Sequence, residues 1–477
     1  MKTLRTVRCW MPLLLLLFIS GCALGPDFEV PEQTIPENFR TSPAISQKEA
    51  ANLEWWTLFD DPQLYTLVTA ALENNRNLKV ASSRIEQARA NVGFTKADKY
   101  PQINIEGGAQ VGNFNRGSLS SDTNTNLYLS VPLRWEIDFW GKFRRASEAA
   151  RAELLASDFG FKAIQLALIS DVVTNYYQLL DFHQRLNIAT STLASREISL
   201  DIIKKRFEKG IISELDVNQA QIQKEIAAGA IPFYQRAIAK SENNLGLLLG
   251  QFPHTIDLND SFNPQIDLPE IPVGLPSQIL EKRPDIAQSL YLLQAQNAQI
   301  GVAQALRLPA ISLTGALGVA STELASVTTD GGGWSVGGGL LGPLIDFGKN
   351  RNRVAIEEQR TQQALFQYES TVLNAFREVE DALIEIKTYQ QELETLVRRL
   401  KAAKNANKLS KKRYDKGFSS YLEVLDSERT LFEVDLKVSD LQRQYRNAYV
   451  NLYKALGGGW SSKAEKEAVQ NQDQESD

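Results

Sequence analysis

The sequence predicts a mainly α-helical chain that carries strands of a membrane β-barrel and is built as an internal tandem duplication. Three observations predict it. Residues 142–209 and 349–416 are proline-free runs of 68 residues each, with Gly160 as their one glycine. At ~1.5 Å rise per residue, each is long enough for a single helix of about 100 Å. Segments of the first half return in the second at a fixed offset. Two stretches alternate apolar and polar residues with period two, the mark of a strand with one greasy face.

The chain opens with Lys2, Arg5 and Arg8, an apolar run from Leu13 to Ile19, and Ile19-Ser20-Gly21-Cys22. A basic start, a short apolar core and small residues at its end make residues 1–21 a secretory signal, too short to span a bilayer as a mature helix. The cysteine directly after Ile-Ser-Gly resembles a bacterial lipobox, so Cys22 is expected to become the lipid-bearing N-terminus. Ala23 at the next position, in place of aspartate, implies sorting to the outer membrane. Loss of the signal removes Cys9 and both methionines and takes the formal charge from −5 to −8. An acidic balance argues against nucleic-acid binding, whose main term is a basic surface on phosphates. No long apolar stretch follows residue 22, so any membrane span must be made of strands.

Residues 22–60, with Pro26, Pro31, Pro36 and Pro43, read as a lipidated extended arm. The first repeat covers 61–250, a proline-rich linker 251–276, the second repeat 277–457, and a polar disordered tail 458–477. Gly93, Ala97, Pro101, Ile103 and Gly107 return at offset 208 as Gly301, Ala305, Pro309, Ile311 and Gly315. Ile137-Asp138-Phe139 returns as Ile345-Asp346-Phe347, after which the extra Trp140 resets the offset to 207.

A helix is expected from about Pro62 to Lys99, ended by Pro101. Ile103, Ile105, Ala109 and Val111 then alternate with polar residues. After a loop rich in Gly, Asn and Ser the alternation resumes with Leu127, Leu129, Val131, Leu133, Trp135, Ile137 and Phe139. Pro132 within that ladder calls for a bulge or irregular pairing. Ile311, Leu313, Leu317 and Val319 repeat the first strand, and a weaker one runs through Trp334 and Val336 toward Phe347. Four strands cannot close a barrel, and an open edge is not tolerated in lipid. Several chains must therefore share one barrel, and a trimer supplies twelve strands.

In the long runs Leu186, Leu193, Leu200 and Phe207 fall seven apart, with Leu393, Leu400, Asn407 and Tyr414 as their copies. A seven-residue stripe holds helices in a left-handed supercoil. Gly210 and Gly417 end the runs, and Ser213 and Ser420 are placed to cap the returning helices. Each half is therefore expected to hold a helical hairpin whose tip lies about 100 Å from the strands.

Several segments now resemble the outer-membrane factor family, the TolC- and OprM-type exit ducts of tripartite pumps, in its lipoprotein branch. They are Asp61-Pro62-Gln63-Leu64, Ala71 to Arg76, Leu275-Pro276-Ser277, Arg283-Pro284-Asp285-Ile286, the two hairpin tips, and Asn451 to Gly457. The resemblance covers essentially the whole mature chain. It implies a homotrimer with a twelve-stranded barrel in the outer membrane and a twelve-helix tunnel in the periplasm, working with a periplasmic adaptor and an inner-membrane efflux transporter. It also implies that the tips, with Gly210, Ile211, Ser213, Gly417, Phe418 and Ser420, dock the adaptor. Asp216 and Tyr414 would belong to a constriction network, with Glu423 and Asp426 as acidic rings. The TolC-type network uses an arginine where this chain has Ser419, so any cation there must come from Lys416, Arg413, Lys209 or Arg206.

An enzyme is not expected, because the mature chain has only His183 and His254, no cysteine beyond Cys22 and no metal-ligand spacing. A passive export duct, an outlet for protein secretion and a non-conducting trimeric spacer remain, with no cofactor in any of them. Drug efflux is favoured by the lipoprotein branch. The absence of methionine argues against a lumen that relays soft ions such as Cu(I). Replacing Cys22 with serine should abolish palmitate labelling of the mature protein, read by autoradiography, and retained label would assign the anchor elsewhere.

Overall fold

The computed structural model describes residues 23–40, 61–115, 118–258, 276–321 and 332–458. The signal segment, Cys22, residues 41–60 of the arm, most of the linker and the tail from 459 lie outside the described residues. In chain order the elements are α1 (Pro62–Asn74), α2 (Arg76–Ala97), β1 (Gln102–Ile103), β2 (Glu106–Asn115), β3 (Ser118–Ile137), α3 (Lys142–Glu208) and α4 (Glu214–Leu248), then α5 (Pro276–Lys282), α6 (Pro284–Ala305), β4 (Ala310–Ser321), β5 (Gly332–Leu341), α7 (Lys349–Asp415) and α8 (Tyr421–Ala455). The halves run in the same order. Helices α3 and α7 have 67 residues each, and α4 and α8 have 35 each. Among the described residues no helix is long and apolar enough to cross a membrane. The chain divides into two compact units.

The first unit, residues up to 33 with 83–159 and 287–370, holds the sheet. All pairing is antiparallel: β3 sits between β4 on one side and β1 and β2 on the other, and β5 pairs β4. The register puts like with like. Val131 faces Leu317, Trp135 faces Leu313 and Ile137 faces Ile311, while Leu317 faces Trp334 and Ile311 faces Leu340. Because side chains alternate along a strand, this gathers the apolar residues on one face and Glu106, Ser130, Arg134, Ser312 and Thr314 on the other. The apolar face is bare: Ile105 is 74% exposed, Leu317 65% and Trp334 79%.

One sequence expectation is corrected here, and that for Pro132 is met as irregular pairing rather than as a bulge. The Gly, Asn and Ser stretch expected as a loop is strand, so that β3 runs to 20 residues and Asn115 pairs Ser118. Cross-strand bonding overrides the poor strand propensity of these residues. Pro132 makes no bulge, since β3 and β4 keep one register from Leu127 to Ile137. Its missing N–H instead shows on the other side. Asn104 N donates to Pro132 O at 3.0 Å, the return bond has no donor, and the partner strand breaks there into β1 and β2.

The Ile-Asp-Phe repeats are helix starts. Asp138 accepts from the backbone N–H of Phe143 and Arg144 at 3.0 and 2.9 Å, and Asp346 from those of Gly348 and Asn350 at 3.0 Å each. These bonds hold the Asp346 carboxyl below its usual pKa. Beside Asp138 the chain just after Cys22 is strapped down. Leu24 N donates to Trp140 O at 3.2 Å, and Arg145 donates to the carbonyls of Leu24 and Gly25 and pairs with Asp27 at 2.8 Å. Gly25, at φ +98°, crosses α6 so closely that a Cβ would stand 2.5 Å from the Gly301 Cα. Trp140, the residue that breaks the repeat, supplies the strap's carbonyl.

The second unit, 34–82, 160–286 and 371–477, holds the hairpins. Its largest core packs Leu64, Val68 and Leu78 against Ile169, Val172, Tyr177 and Leu179 of α3 and Leu245 of α4. The heptad stripe is largely packing: Leu200 is buried and Leu393 and Leu400 pack around Leu396, although Phe207 stays 42% exposed.

The helix expected from Pro62 to Lys99 is two helices, broken at Asn75. The amide of Asn75 donates to Leu248 O at 2.8 Å while its carbonyl caps Leu78 N. Arg283, its copy, donates to Ala455 O at 3.0 Å, grips Asp285 with two bonds and reaches Glu378 at 2.8 Å. Asn75 and Arg283 thus satisfy repeat-related carbonyls that a helix end leaves free. The neighbouring glycines seal both joints. Gly250 and Gly457 have φ of +68° and +72°, and a Cβ on them would meet the carbonyl oxygens of Asn74 and Lys282 at 2.4 and 2.8 Å.

Gly210 has the same φ, +71°, but open space around its Cβ position. Gly210→Ala should therefore cost only the ~1 kcal/mol of a left-handed residue, whereas Gly250→Ala adds a backbone clash. Thermal unfolding of the purified variants should show a clearly larger loss for Gly250→Ala, and equal losses would refute the joint.

Candidate functional site

The hairpin tips gather nearly every residue that the sequence nominated. At the first, Gly210 N donates to Phe207 O at 2.8 Å and Ile211 N to Arg206 O at 3.0 Å. At the second, Gly417 N donates to Tyr414 O at 3.0 Å and Phe418 N to Arg413 O at 2.9 Å. This pair of bonds ends a helix on a left-handed residue, which is why glycine stands there, at φ +71° and +78°. The reversal leaves Ile211 65% and Phe418 72% exposed.

The returning helices start differently. Ser213 donates from N and Oγ to Asp216 Oδ2 at 3.3 and 3.1 Å, so Asp216 is engaged at the start of its own helix. Ser420, expected to cap α8, makes no side-chain cap bond. Three residues on, Glu423 turns instead to Arg413 Nε at 3.1 Å.

Between the tips lies a small core of Leu200, Ile203, Ala220, Tyr421, Val424 and Leu425, with Tyr414 at its border. The Tyr414 ring stands 5.3 Å from that of Tyr421, and the Arg206 guanidinium lies over it at 4.5 Å. Arg206 also pairs with Asp415 at 3.3 Å, so one arginine ties the first tip to the second. Burial raises the Tyr421 hydroxyl well above its usual pKa. No hydrogen bond joins Asp216 to Tyr414, whose hydroxyl is buried and unpartnered. Two of the cations proposed for the place of Ser419, Arg413 and Arg206, are thus the ones that form ion pairs here.

Glu423 and Asp426 share one face of α8 and border a groove with Ala403, Ala406 and Leu409 of α7. Each acid has its own counter-charge, Asp426 through Arg429 at 3.0 Å. These pairs are solvent-exposed, so each is worth little to stability. Sequence reasoning missed a second charge cluster, Arg196, Lys411 and Glu428, because Arg196 comes from a helix more than 200 residues away from the other two. The repeat held a signal: the copies of Arg196 and Glu428 are Ala403 and Gln221. His183 is half-buried, and burial pushes its imidazole below the usual range.

The whole of this architecture has known counterparts. The chain is 34% identical to the cation efflux system protein CusC of Escherichia coli strain K12 over 455 residues, covering 94% of this chain and 99% of that one. It is also 34% identical to the solvent efflux pump outer membrane protein SrpC of Pseudomonas putida over 465 residues, 94% and 98% of the two chains. Its structure matches that of the outer-membrane channel OprN with a TM-score of 0.83 at 30% identity, over 92% of this chain and 100% of the other. The family model of outer membrane efflux proteins matches residues 67–251 and again 275–458. With both halves matched and relatives aligned along nearly its full length, the chain belongs to the outer membrane efflux protein family.

Proposed function

We propose that three copies of this chain close one twelve-stranded barrel in the outer membrane, continued by a twelve-helix tunnel, and that the trimer is the passive exit duct of a tripartite efflux system. The observation that carries this reading is the one-sided sheet, whose apolar face is exposed and whose outer strands β2 and β5 each have one edge without a partner among the described residues. Hydrocarbon offers such an edge no hydrogen bond, so lipid requires neighbouring chains to supply it. Cys22 carries the lipid anchor. A periplasmic adaptor docks on the tips through Ile211, Phe418 and the backbone around Gly210, Ser213, Gly417 and Ser420, and an inner-membrane transporter supplies the energy. Asp216, Tyr414, Glu423 and Asp426 line the periplasmic constriction.

Detergent-extracted protein should run as a trimer and conduct ions in planar bilayers. A stable, non-conducting monomer would overturn the duct, and a non-conducting trimer would favour the spacer. On this reading threefold symmetry brings six carboxylates of Glu423 and Asp426 near one axis, with Arg413 and Arg429 beside them. The double variant Glu423→Gln, Asp426→Asn leaves those arginines unbalanced. Reversal potentials across a salt gradient should then swing from cation toward anion preference, an effect that salt screens over ~8 to 10 Å. An unchanged reversal potential would place the acids away from the conduction path.

Organic drugs are the cargo we favour, supported by a mature chain without methionine and without cysteine beyond Cys22. Metal cations are the second reading, favoured by the likeness to CusC. Deletion of the gene should lower drug tolerance severalfold in growth assays and leave copper tolerance unchanged. The reverse outcome selects the second reading.

A further inference from the structure

About 20 Å along α3 from Gly210, at ~1.5 Å per residue, one buried carboxylate and two cations line a single groove. Glu428 of α8 is 6% exposed, and its Oε1 is held by Lys411 Nζ of α7 at 2.7 Å. Its Oε2 is buried with no hydrogen-bond partner. Arg196 of α3 is 2% exposed. It donates from Nη1 to the carbonyl of Gln223 on α4 and lies over the Phe432 ring of α8 at 5.0 Å. Its Nε and Nη2 are buried without partners. Burial holds the Arg196 pKa down, and the charge of Glu428 is the strongest influence opposing that shift.

Unpaired donors on a buried guanidinium and an unpaired oxygen on a nearby buried carboxylate each cost free energy, and joining them would remove both costs. Nothing in the packing of these helices demands the cluster, because the repeat-related positions carry Ala403 for Arg196 and Gln221 for Glu428. Lys411 and Glu428 lie in the same hairpin, α7 and α8. Arg196 lies in the other.

We infer that Glu428 exchanges between Lys411 and Arg196, and that this exchange sets whether a second charged pair joins the two hairpins of one chain, beyond the Arg206–Asp415 pair at the tips themselves. With Lys411 the ion pair stays within the second hairpin, and from this pair the 3.3 Å bond of Lys411 to Ser195 and the long 3.5 Å contact of Ser199 with Glu428 cross to the first. With Arg196 a charged, forked pair crosses between the hairpins. The two arrangements are the discrete states that a switching element needs, and whatever favours one cation over the other shifts their populations.

The consequence for conduction rests on the duct reading above: the crossed pair holds the tips narrow, and the in-hairpin pair releases them. Removing either cation should therefore act in opposite directions. Lys411→Met leaves Glu428 to Arg196, and Arg196→Met leaves it to Lys411. Spin labels on Ile211→Cys and Phe418→Cys, in trimers diluted with unlabelled chain, report the distance between tips by pulsed electron resonance. That distance should shorten in Lys411→Met and lengthen or broaden in Arg196→Met, while single-channel conductance falls severalfold in the first and rises severalfold in the second.

Glu428→Gln should make the Lys411→Met change silent when the two are combined. Lys411 is partly exposed, so its variant keeps the test alive if Arg196→Met fails to fold. Shifts of the same sign for both cation variants, no shift in Lys411→Met, or a full Lys411→Met effect in the Glu428→Gln background would each overturn the exchange. Tip distances that shift as stated in the variants, together with a wild type that passes no current, would sink the duct reading and leave the exchange standing.

Discussion

A backbone N–H or C=O in hydrocarbon has no water to turn to, and that constraint governs most of what this chain does with its strands. The register across β2, β3, β4 and β5 collects apolar side chains on one face, and the polar residues fall between them on the other. A sheet of this kind in water would be an aggregation hazard. Its long, greasy, uncovered face is one that lipid would cover, which fits the membrane named in the family description. Even the exception obeys the rule, since the donor that Pro132 lacks is lost where β1 and β2 part, and the pairing with β4 stays whole.

The helices solve a related problem at their ends. Each long helix begins on an aspartate and stops on a glycine, and the shorter helices stop where a buried polar side chain from another segment takes their last carbonyls. Asn75 and Arg283 do this with different chemistry at repeat-related positions. The arginine version gathers Asp285 and Glu378 as well, which accounts for the Arg-Pro-Asp motif without any role in transport. Motif strength in a sequence therefore tracks how many partners a joint must hold, and that can be purely architectural.

Much of this was legible because punctuation in the chain is sharp. Gly141 and Gly210 bracket α3 to within a residue or two, and the alternation from Leu127 to Ile137 fixed the face of β3. What was not legible depended on contacts between distant segments. The break at Asn75 lies inside an unbroken helical pattern, and only its copy at Arg283-Pro284 hinted at it. The polar stretch between Gly112 and Asn126 looks like a loop until its own hairpin partner is in place. At the tips, the family resemblance nominated Asp216 and Tyr414 for one network; within the chain Asp216 lies with Ser213 and Tyr414 lies under Arg206. Spacing says which residues share a helix face and is silent about which neighbour each one meets.

The strap behind Cys22 sets a leash length. Leu24 is fastened to Trp140, and Arg145 clasps the carbonyls of Leu24 and Gly25. Two residues of extended chain reach no further than about 7 Å. An acyl group on Cys22 would therefore have almost no slack. It could not roam to find a bilayer and then reel the protein in, but would have to enter the membrane beside the turn from β3 into α3. A lipid so closely moored would work as a depth gauge, marking on the protein the level at which the membrane surface belongs.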